Sequence, residues 1–212
     1  MEKKSLALFD FDGTLIKSDS IIRYISFARQ LKKITLWELV KVFVVTVLYL
    51  LHVLNEIKAK DAVMAFWRRM SPNDRERFDR AFARSLSPLM YPEGKRRIEQ
   101  HKSEGKMIIL VSASPENYMR YVGKFLHVDA VLATPLDQKG HPFDNCKGKQ
   151  KLKRIDCWKQ ENNVIYDADT TVVYGDTPGD FFMMQRYGKG YLVNPSRKTM
   201  DEARERFDIL HF

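Results

Sequence analysis

The chain has 212 residues, 44% hydrophobic and 30% charged, with no low-complexity tract or internal repeat. That leaves room for one medium domain, or a core domain with a smaller insert, and excludes a fibrous or disordered chain. The net charge of +9 calls for an anionic partner: a phosphorylated substrate, an anionic membrane surface or nucleic acid. Without zinc-finger spacing or an RNA-binding aromatic pattern, nucleic acid is set aside. Cys146 and Cys157 are too few for a disulfide framework and lack metal-ligand spacing, so they read as reduced, buried thiols of a cytoplasmic protein. Met1-Glu2-Lys3-Lys4 runs directly into the first strand, which reads as no signal peptide.

The apolar run from Leu6 predicts a buried strand that ends in Asp10-Phe11-Asp12-Gly13. Residues two apart on an extended chain point the same way, so both carboxylates are expected to project together from the strand end. Crowded negative groups call for a cation, and an all-oxygen set suits Mg²⁺. Gly13 lets the backbone turn sharply away. Asp19 and Ser20 then start a helix over roughly 21–31.

The stretch from Leu36 to Leu54 is the most apolar in the chain. A spanning helix needs about 20 apolar residues, and Glu38, Lys41 and His52 leave this one short. Two readings stand. One is a core helix of a small helical unit, with those three residues on a narrow polar stripe. The other is a helix over 39–54 lying in a membrane interface, flanked by Arg29, Lys32, Lys33, Lys58, Lys60, Arg68 and Arg69. Ser71-Pro72-Asn73-Asp74 reads as an N-cap, and the helix it opens runs to about Ser87 with an arginine-rich outer face. Residues 17–88 thus read as four helices.

Glu93 to Ser103 is helical and ends at Gly105. Met107 to Val111 predicts a central parallel strand, stopping at Ser112-Ala113-Ser114-Pro115. A small hydroxyl beside free N–H groups at a helix start can hold phosphate. A short strand over 128–133, a hairpin turn over 137–140 and a basic helix opened by Cys146 to Arg154 follow. Thr171 to Tyr174 predicts a strand running into Gly175-Asp176, with Asp180 four residues on. Tyr191 to Val193 is expected as the last strand, and Asn194-Pro195 as the start of a terminal helix.

Asp10-Phe11-Asp12-Gly13-Thr14-Leu15 resembles the first motif of the haloacid dehalogenase (HAD) superfamily of aspartate-nucleophile phosphohydrolases. Ser112, in second place, resembles the second motif. Cys146-x-Gly148-x-x-Lys151 is similar to the third motif of one branch and selects Lys151; Lys147 is the runner-up, because some relatives carry the lysine just before the glycine. Gly175-Asp176-x-x-x-Asp180 resembles the fourth. The resemblance spans residues 10–180 and implies an α/β fold, a doubly wound Rossmann-like parallel sheet, with core residues 1–16 and 89–212 and an inserted helical cap at 17–88, as in phosphoserine phosphatase.

It also implies a Mg²⁺-dependent phosphomonoesterase working through an aspartyl-phosphate. Asp10 is then the nucleophile and Asp12 the general acid and base. Asp10, the backbone carbonyl of Asp12, and Asp176 hold the metal, and Asp180 stands just outside, orienting water or the lysine. Ser112 and Lys151 stabilise the transferring phosphoryl group, and Asp19, Ser112, Ala113 and Lys151 line the substrate. Phosphoserine-specific relatives carry a serine where Gly13 stands and a glutamate near Asp19. The apolar second helix and the Cys-x-Gly-x-x-Lys pattern look more like the phosphatidylglycerophosphatase C branch. The substrate stays open between a phospholipid and small soluble phosphomonoesters. The competing class is a non-catalytic protein that binds anionic membranes.

Overall fold

The computed structural model describes residues 3–212; Met1 and Glu2, where the reading of an absent signal peptide begins, lie outside the described residues. In chain order the elements are β1 (Leu6–Phe9), α1 (Ser20–Gln30), α2 (Leu36–Leu50), α3 (Glu56–Arg68), α4 (Pro72–Ser85), α5 (Pro92–Ser103), β2 (Met107–Pro115) and α6 (Glu116–Leu126). Then come β3 (Ala130–Thr134), α7 (Lys149–Glu161), β4 (Val172–Gly175), α8 (Phe181–Tyr187), β5 (Lys189–Val193), α9 (Arg197–Ala203) and β6 (Asp208–Leu210).

All six strands pair in parallel, in the order β3-β2-β1-β4-β5-β6. Alternate residues of each strand face opposite sides. Ala7, Phe9, Ile108, Leu110 and Tyr174 enter one apolar core with helices α1, α4 and α6, while Leu6, Leu8, Ile109, Val111 and Val173 enter a second core with α7 and α8. A sheet buried on both faces explains why its strands read as unbroken apolar runs. The order reverses between β1 and β4, so their carboxyl ends flank the crevice where doubly wound folds bind ligands.

Expectations for the last strand and for one cysteine change. β5 is not the last strand: β6 adds an edge after α9, and its three residues, Asp208, Ile209 and Leu210, are too short and too polar at the start to stand out as a strand. Cys146 is buried, but Cys157 is exposed on α7.

Four helices do lie between residues 17 and 88 among the described residues, and each begins on a cap written in the sequence. Asp19 accepts from the Ile21 and Ile22 N–H groups, Thr35 and Glu38 form a reciprocal capping box, Asn55 accepts from Lys58 N–H, and Ser71 accepts from Asp74 N–H ahead of Pro72. Arg69, past the end of α3, holds Glu38 at 2.6 Å and so fastens the start of α2 to the end of α3.

α2 is not the core helix with a narrow polar stripe. It ends at Leu50, with His52 beyond it in a left-handed conformation, and Val42 is its one buried residue. Leu36, Trp37, Val40, Phe43, Val44, Val47, Leu50 and Leu51 all lie exposed, Phe43 at 69%. Their spacing of three, four and seven puts them on one side of the helix. No helix among the described residues is long and apolar enough to cross a membrane.

The inner helices close around a buried carboxylate. Asp79 of α4 is fully buried and accepts from the Tyr24 hydroxyl at 2.7 Å, the Asn117 amide at 2.8 Å and the Trp67 indole N–H at 3.0 Å. Burial pushes its carboxyl up to about 6 although all three bonds favour the charged form. These donors come from α1, α6 and α3, so one side chain joins four helices. D79A takes the acceptor from the Tyr24 hydroxyl and the Trp67 indole and one of two acceptors from the Asn117 amide, and is expected to cost about 3 kcal/mol of stability, read as a lower urea midpoint with an unchanged slope.

Candidate active site

β1 and β4 deliver the first acids. Asp10 follows β1, its backbone N–H donating to the Tyr174 carbonyl of β4 at 2.9 Å, and Asp176 follows β4 directly. The chain can turn out between them only because residue 13 is glycine. Gly13 has φ +80°, and a Cβ there would run into the Asp176 carboxylate. Asp180 reaches the same point from the other side, its Oδ2 accepting from the Asp176 and Thr177 N–H groups at 3.3 and 3.1 Å and from the Thr177 hydroxyl at 2.9 Å.

Oxygens of Asp10, Asp176 and Asp180 lie within 4.8 Å of one another. One cation of the chain stands among them. Lys151 Nζ, in the first turn of α7 and 3% exposed, donates to Asp10 Oδ1 and Asp180 Oδ1, each at 2.6 Å. Burial pushes the Asp10 carboxyl up against the pull of Lys151, and burial together with the neighbouring Asp10 and Asp180 pushes Asp176 up as well. The Lys151 ammonium is held charged: burial opposes it, and the two carboxylates outweigh burial. Three carboxylates against one ammonium leave net negative charge in a buried place. An all-oxygen donor set of that charge fits a hard divalent cation such as Mg²⁺.

Asp12 lies on the same cleft, but its carboxylate does not join the cluster. Oδ1 accepts from the Ser20 N–H at 2.7 Å, and Oδ2 from the Ser20 hydroxyl at 3.0 Å and the Ser114 hydroxyl at 2.5 Å. Burial pushes it up to about 6, against those hydrogen bonds. The expectation of two carboxylates projecting together therefore changes: β1 ends at Phe9, so the alternation of an extended chain stops before Asp12. Asp180, not Asp12, supplies the third clustered carboxylate side chain.

The cleft has a volume of about 350 Å³. Asp10, Asp12, Asp19, Ala113, Lys151, Asp176 and Asp180 all line it, so these sequence-expected residues do come together. Ser112 does not line it; it lies behind, 1% exposed, its Oγ accepting from the Ser114 N–H at 3.0 Å. Lys147 also reaches the cleft, but it pairs with Glu56 at 2.8 Å rather than with the acids. Asp19 spends one carboxylate oxygen on capping α1.

Sequence reasoning missed Glu56 and Lys60 of α3 and Ser114. Lys60 is 4% exposed and donates to Glu56 Oε1 at 2.7 Å, to the Ala113 carbonyl at 2.7 Å and to Asn145 Oδ1. Although burial opposes it, Lys60 and Lys147 together hold the Glu56 carboxyl down at about 2. A signal existed: Lys60, Val63, Met64 and Trp67 repeat at helical spacing, which puts a lysine on the inward stripe of α3.

Among known proteins, the chain is 28% identical over 134 residues to the inhibition of morphological differentiation protein of Streptomyces azureus, a match over 60% of this chain that spans about half of that protein's length (48%). It is 24% identical over 223 residues to the histidinol-phosphatase of Neisseria meningitidis serogroup C, covering 99% of both. Among solved structures, one protein of Bordetella pertussis Tohama I superposes with a TM-score of 0.88 at 17% identity over 99% of both chains. A phosphoserine phosphatase captured as a phospho-aspartyl intermediate analogue superposes at 0.63 with 18% identity, over 98% of this chain and 93% of that one. The model of the haloacid dehalogenase-like hydrolases matches residues 7–185, the stretch that carries every clustered acid and the lysine between them. The chain belongs to the haloacid dehalogenase-like hydrolase family.

Proposed function

We propose that this hydrolase is a Mg²⁺-dependent phosphomonoesterase in which Asp10 is the nucleophile, with residues 17–88 acting as a helical cap over the 1–16 and 89–212 core. The carrying observation is the separation of two carboxyl groups two residues apart. Asp10 lies beside Lys151 in the acid cluster; Asp12 lies apart, hydrogen-bonded to Ser20 and Ser114, and burial pushes both carboxyls up. Its place beside the lysine suits Asp10 to meet phosphorus, and its separate place on the cleft suits Asp12 to carry a proton.

Asp10 Oδ attacks phosphorus, the phosphorus–ester oxygen bond breaks, and the departing alkoxide takes the proton of Asp12. Asp12, now ionised, accepts a proton from the water that attacks the aspartyl-phosphate, and the bond from phosphorus to Asp10 breaks to release phosphate. Lys151 stays charged throughout and stabilises the equatorial oxygens of the transferring group, with Ser112 holding it from behind the cleft. Asp10, the Asp12 carbonyl and Asp176 would hold Mg²⁺, with Asp180 beside them. When bound, the ion supplies charge neutralisation and orientation.

The same acids set a pH dependence. The carboxyl pKa of Asp10, Asp12 and Asp176 is raised in the fold above the ordinary 3.8, so the folded state favours their protonated forms. The stability this contributes is full below pH 3.8 and is lost as pH rises through the folded values, about 6 for Asp12. In EDTA the melting temperature should therefore be lower at pH 8 than at pH 5, and saturating Mg²⁺ should raise it by at least about 3 °C more at pH 8. An equal Mg²⁺ effect at both pH values would count against the metal site. D10N is expected to lose essentially all Mg²⁺-dependent phosphate release while keeping its melting temperature within a few degrees.

The substrate we favour is carried at a lipid surface. The exposed apolar side of α2 supports this, with Lys32, Lys33, Lys41 and Lys58 exposed around it and Lys41 stacked over Trp37 at 5.6 Å. Glu56, which opens α3 six residues past the end of α2, lines the cleft. The second reading, a small soluble phosphomonoester, is supported by the likeness to histidinol-phosphatase and to phosphoserine phosphatase. Phosphatidylglycerophosphate in mixed micelles and a panel of soluble esters separate them. On the lipid reading, F43E lowers lipid hydrolysis at least about tenfold and spares soluble esters. Equal activity of F43E and wild type on the lipid would leave the soluble reading.

A further inference from the structure

Residues 112–114 form a break in the sheet. Between β2 and β3, Val111 pairs with Leu132 and Pro115 with Thr134, so three residues of β2 face one of β3. Bulges of this kind re-aim side chains beside functional sites, and they leave the bulged peptides without ladder partners. Side chains hold this one instead. The Ala113 carbonyl accepts from Lys60 Nζ at 2.7 Å and from Thr134 Oγ1 at 2.6 Å.

A trans peptide is planar, with its carbonyl and the following N–H aimed in opposite directions. Anchoring the Ala113 oxygen therefore aims the Ser114 N–H, which donates to Ser112 Oγ at 3.0 Å. That bond fills an acceptor position of the hydroxyl and leaves its own O–H free to donate toward a phosphoryl oxygen. The same residue places Asp12, because the Ser114 hydroxyl donates to Asp12 Oδ2 at 2.5 Å. One peptide plane thus governs Ser112 and Asp12 together. Thr134 holds it from the sheet. Lys60 holds it from α3, across the boundary between the inserted helices and the sheet.

Lys60 reaches the peptide as a buried charge with all three of its N–H bonds used, on Ala113, Asn145 and Glu56. A buried ammonium is costly, and an apolar residue of similar size would fill the same space at less expense. What an apolar residue lacks is a directional donor for a carbonyl that has no strand partner.

We propose that Lys60 is a positioning residue for phosphoryl transfer: from α3 it fixes the Ala113–Ser114 peptide, and through it the Ser112 hydroxyl and the Asp12 carboxyl. The proposal rests on the phosphatase reading above. It makes chemistry depend on the seating of α3, since the peptide is fully held only while Lys60 is docked.

The test compares wild type, K60M and K60A on p-nitrophenyl phosphate with saturating Mg²⁺. K60M is expected to lose at least about tenfold in kcat, the scale of one directional hydrogen bond in the transition state, with KM within about twofold. Added n-propylammonium should restore part of the kcat of K60A, which a merely structural lysine would not show. K60M with wild-type kcat, or K60A that no amine restores, overturns the proposal. Should the Lys60 variants not fold, T134V removes the companion donor on the same carbonyl. A fall in kcat at constant KM supports the role of the peptide, and an unchanged kcat overturns it. Wild-type protein that releases no phosphate overturns the phosphatase reading itself, and the proposal with it. Wild-type turnover matched by K60M overturns only the role of Lys60.

Discussion

Three carboxylates crowded around one buried ammonium are what the molecule is built around. Asp10, Asp176 and Asp180 converge within 4.8 Å at the point where the strand order reverses, with Lys151 buried among them. Desolvation makes Asp10 and Asp176 resist ionisation, and the neighbouring acids add to that resistance. The arrangement persists because the surrounding fold leaves the groups nowhere else to go. Asp10 and Asp176 leave adjacent parallel strands, Gly13 has no Cβ to push Asp176 aside, and Asp180 is clamped by the N–H groups of Asp176 and Thr177.

The inserted helices answer a different physical demand. Their inner side is organised by Asp79, whose three donors come from α1, α3 and α6, and by an aromatic group in which Tyr24 meets Phe66, Phe78, Phe82 and Tyr118. Lys60, Glu56 and Lys147 then form a chain of charge from α3 to the sheet. The helical segment is therefore joined to the rest by polar contacts beside the cleft and by apolar ones away from it. Polar joints are directional and break cleanly, so the chemistry and the placement of α3 share the same few bonds.

Much of this was written in the sequence, and what was not has identifiable causes. Strand positions were legible because a sheet buried on both faces makes Leu6–Phe9 and Met107–Val111 unbroken apolar runs, although β2 runs on past the expected stop at Ser112 to Pro115. Two helix starts were legible because Asp19 and Ser71 are capping residues; Thr35 and Asn55, which cap α2 and α3, went unread beside the apolar run between them. Asp12 misled because alternation holds only while the chain is extended, and here it stops at Phe9. Lys60 escaped because a lysine in a charged helix reads as solvated until its spacing with Val63, Met64 and Trp67 is counted. β6 is three residues at an edge, with too few side chains to show a period. α2 is apolar nearly all round, and composition cannot say which side of such a helix finds a partner.

That last feature bears on how the protein can diversify. Leu36, Trp37, Val40, Phe43, Val44, Val47, Leu50 and Leu51 face outward, while Val42 faces in and Glu38 ties α2 to Arg69. Exposed side chains add little to folding, so what stands at those eight positions is answerable to the surroundings and not to the core. The inner stripe and the capping box keep the helix where it is, whatever the outer side carries. The clustered acids and the outer side of α2 are thus written in separate sets of residues, and drift in one leaves the other intact.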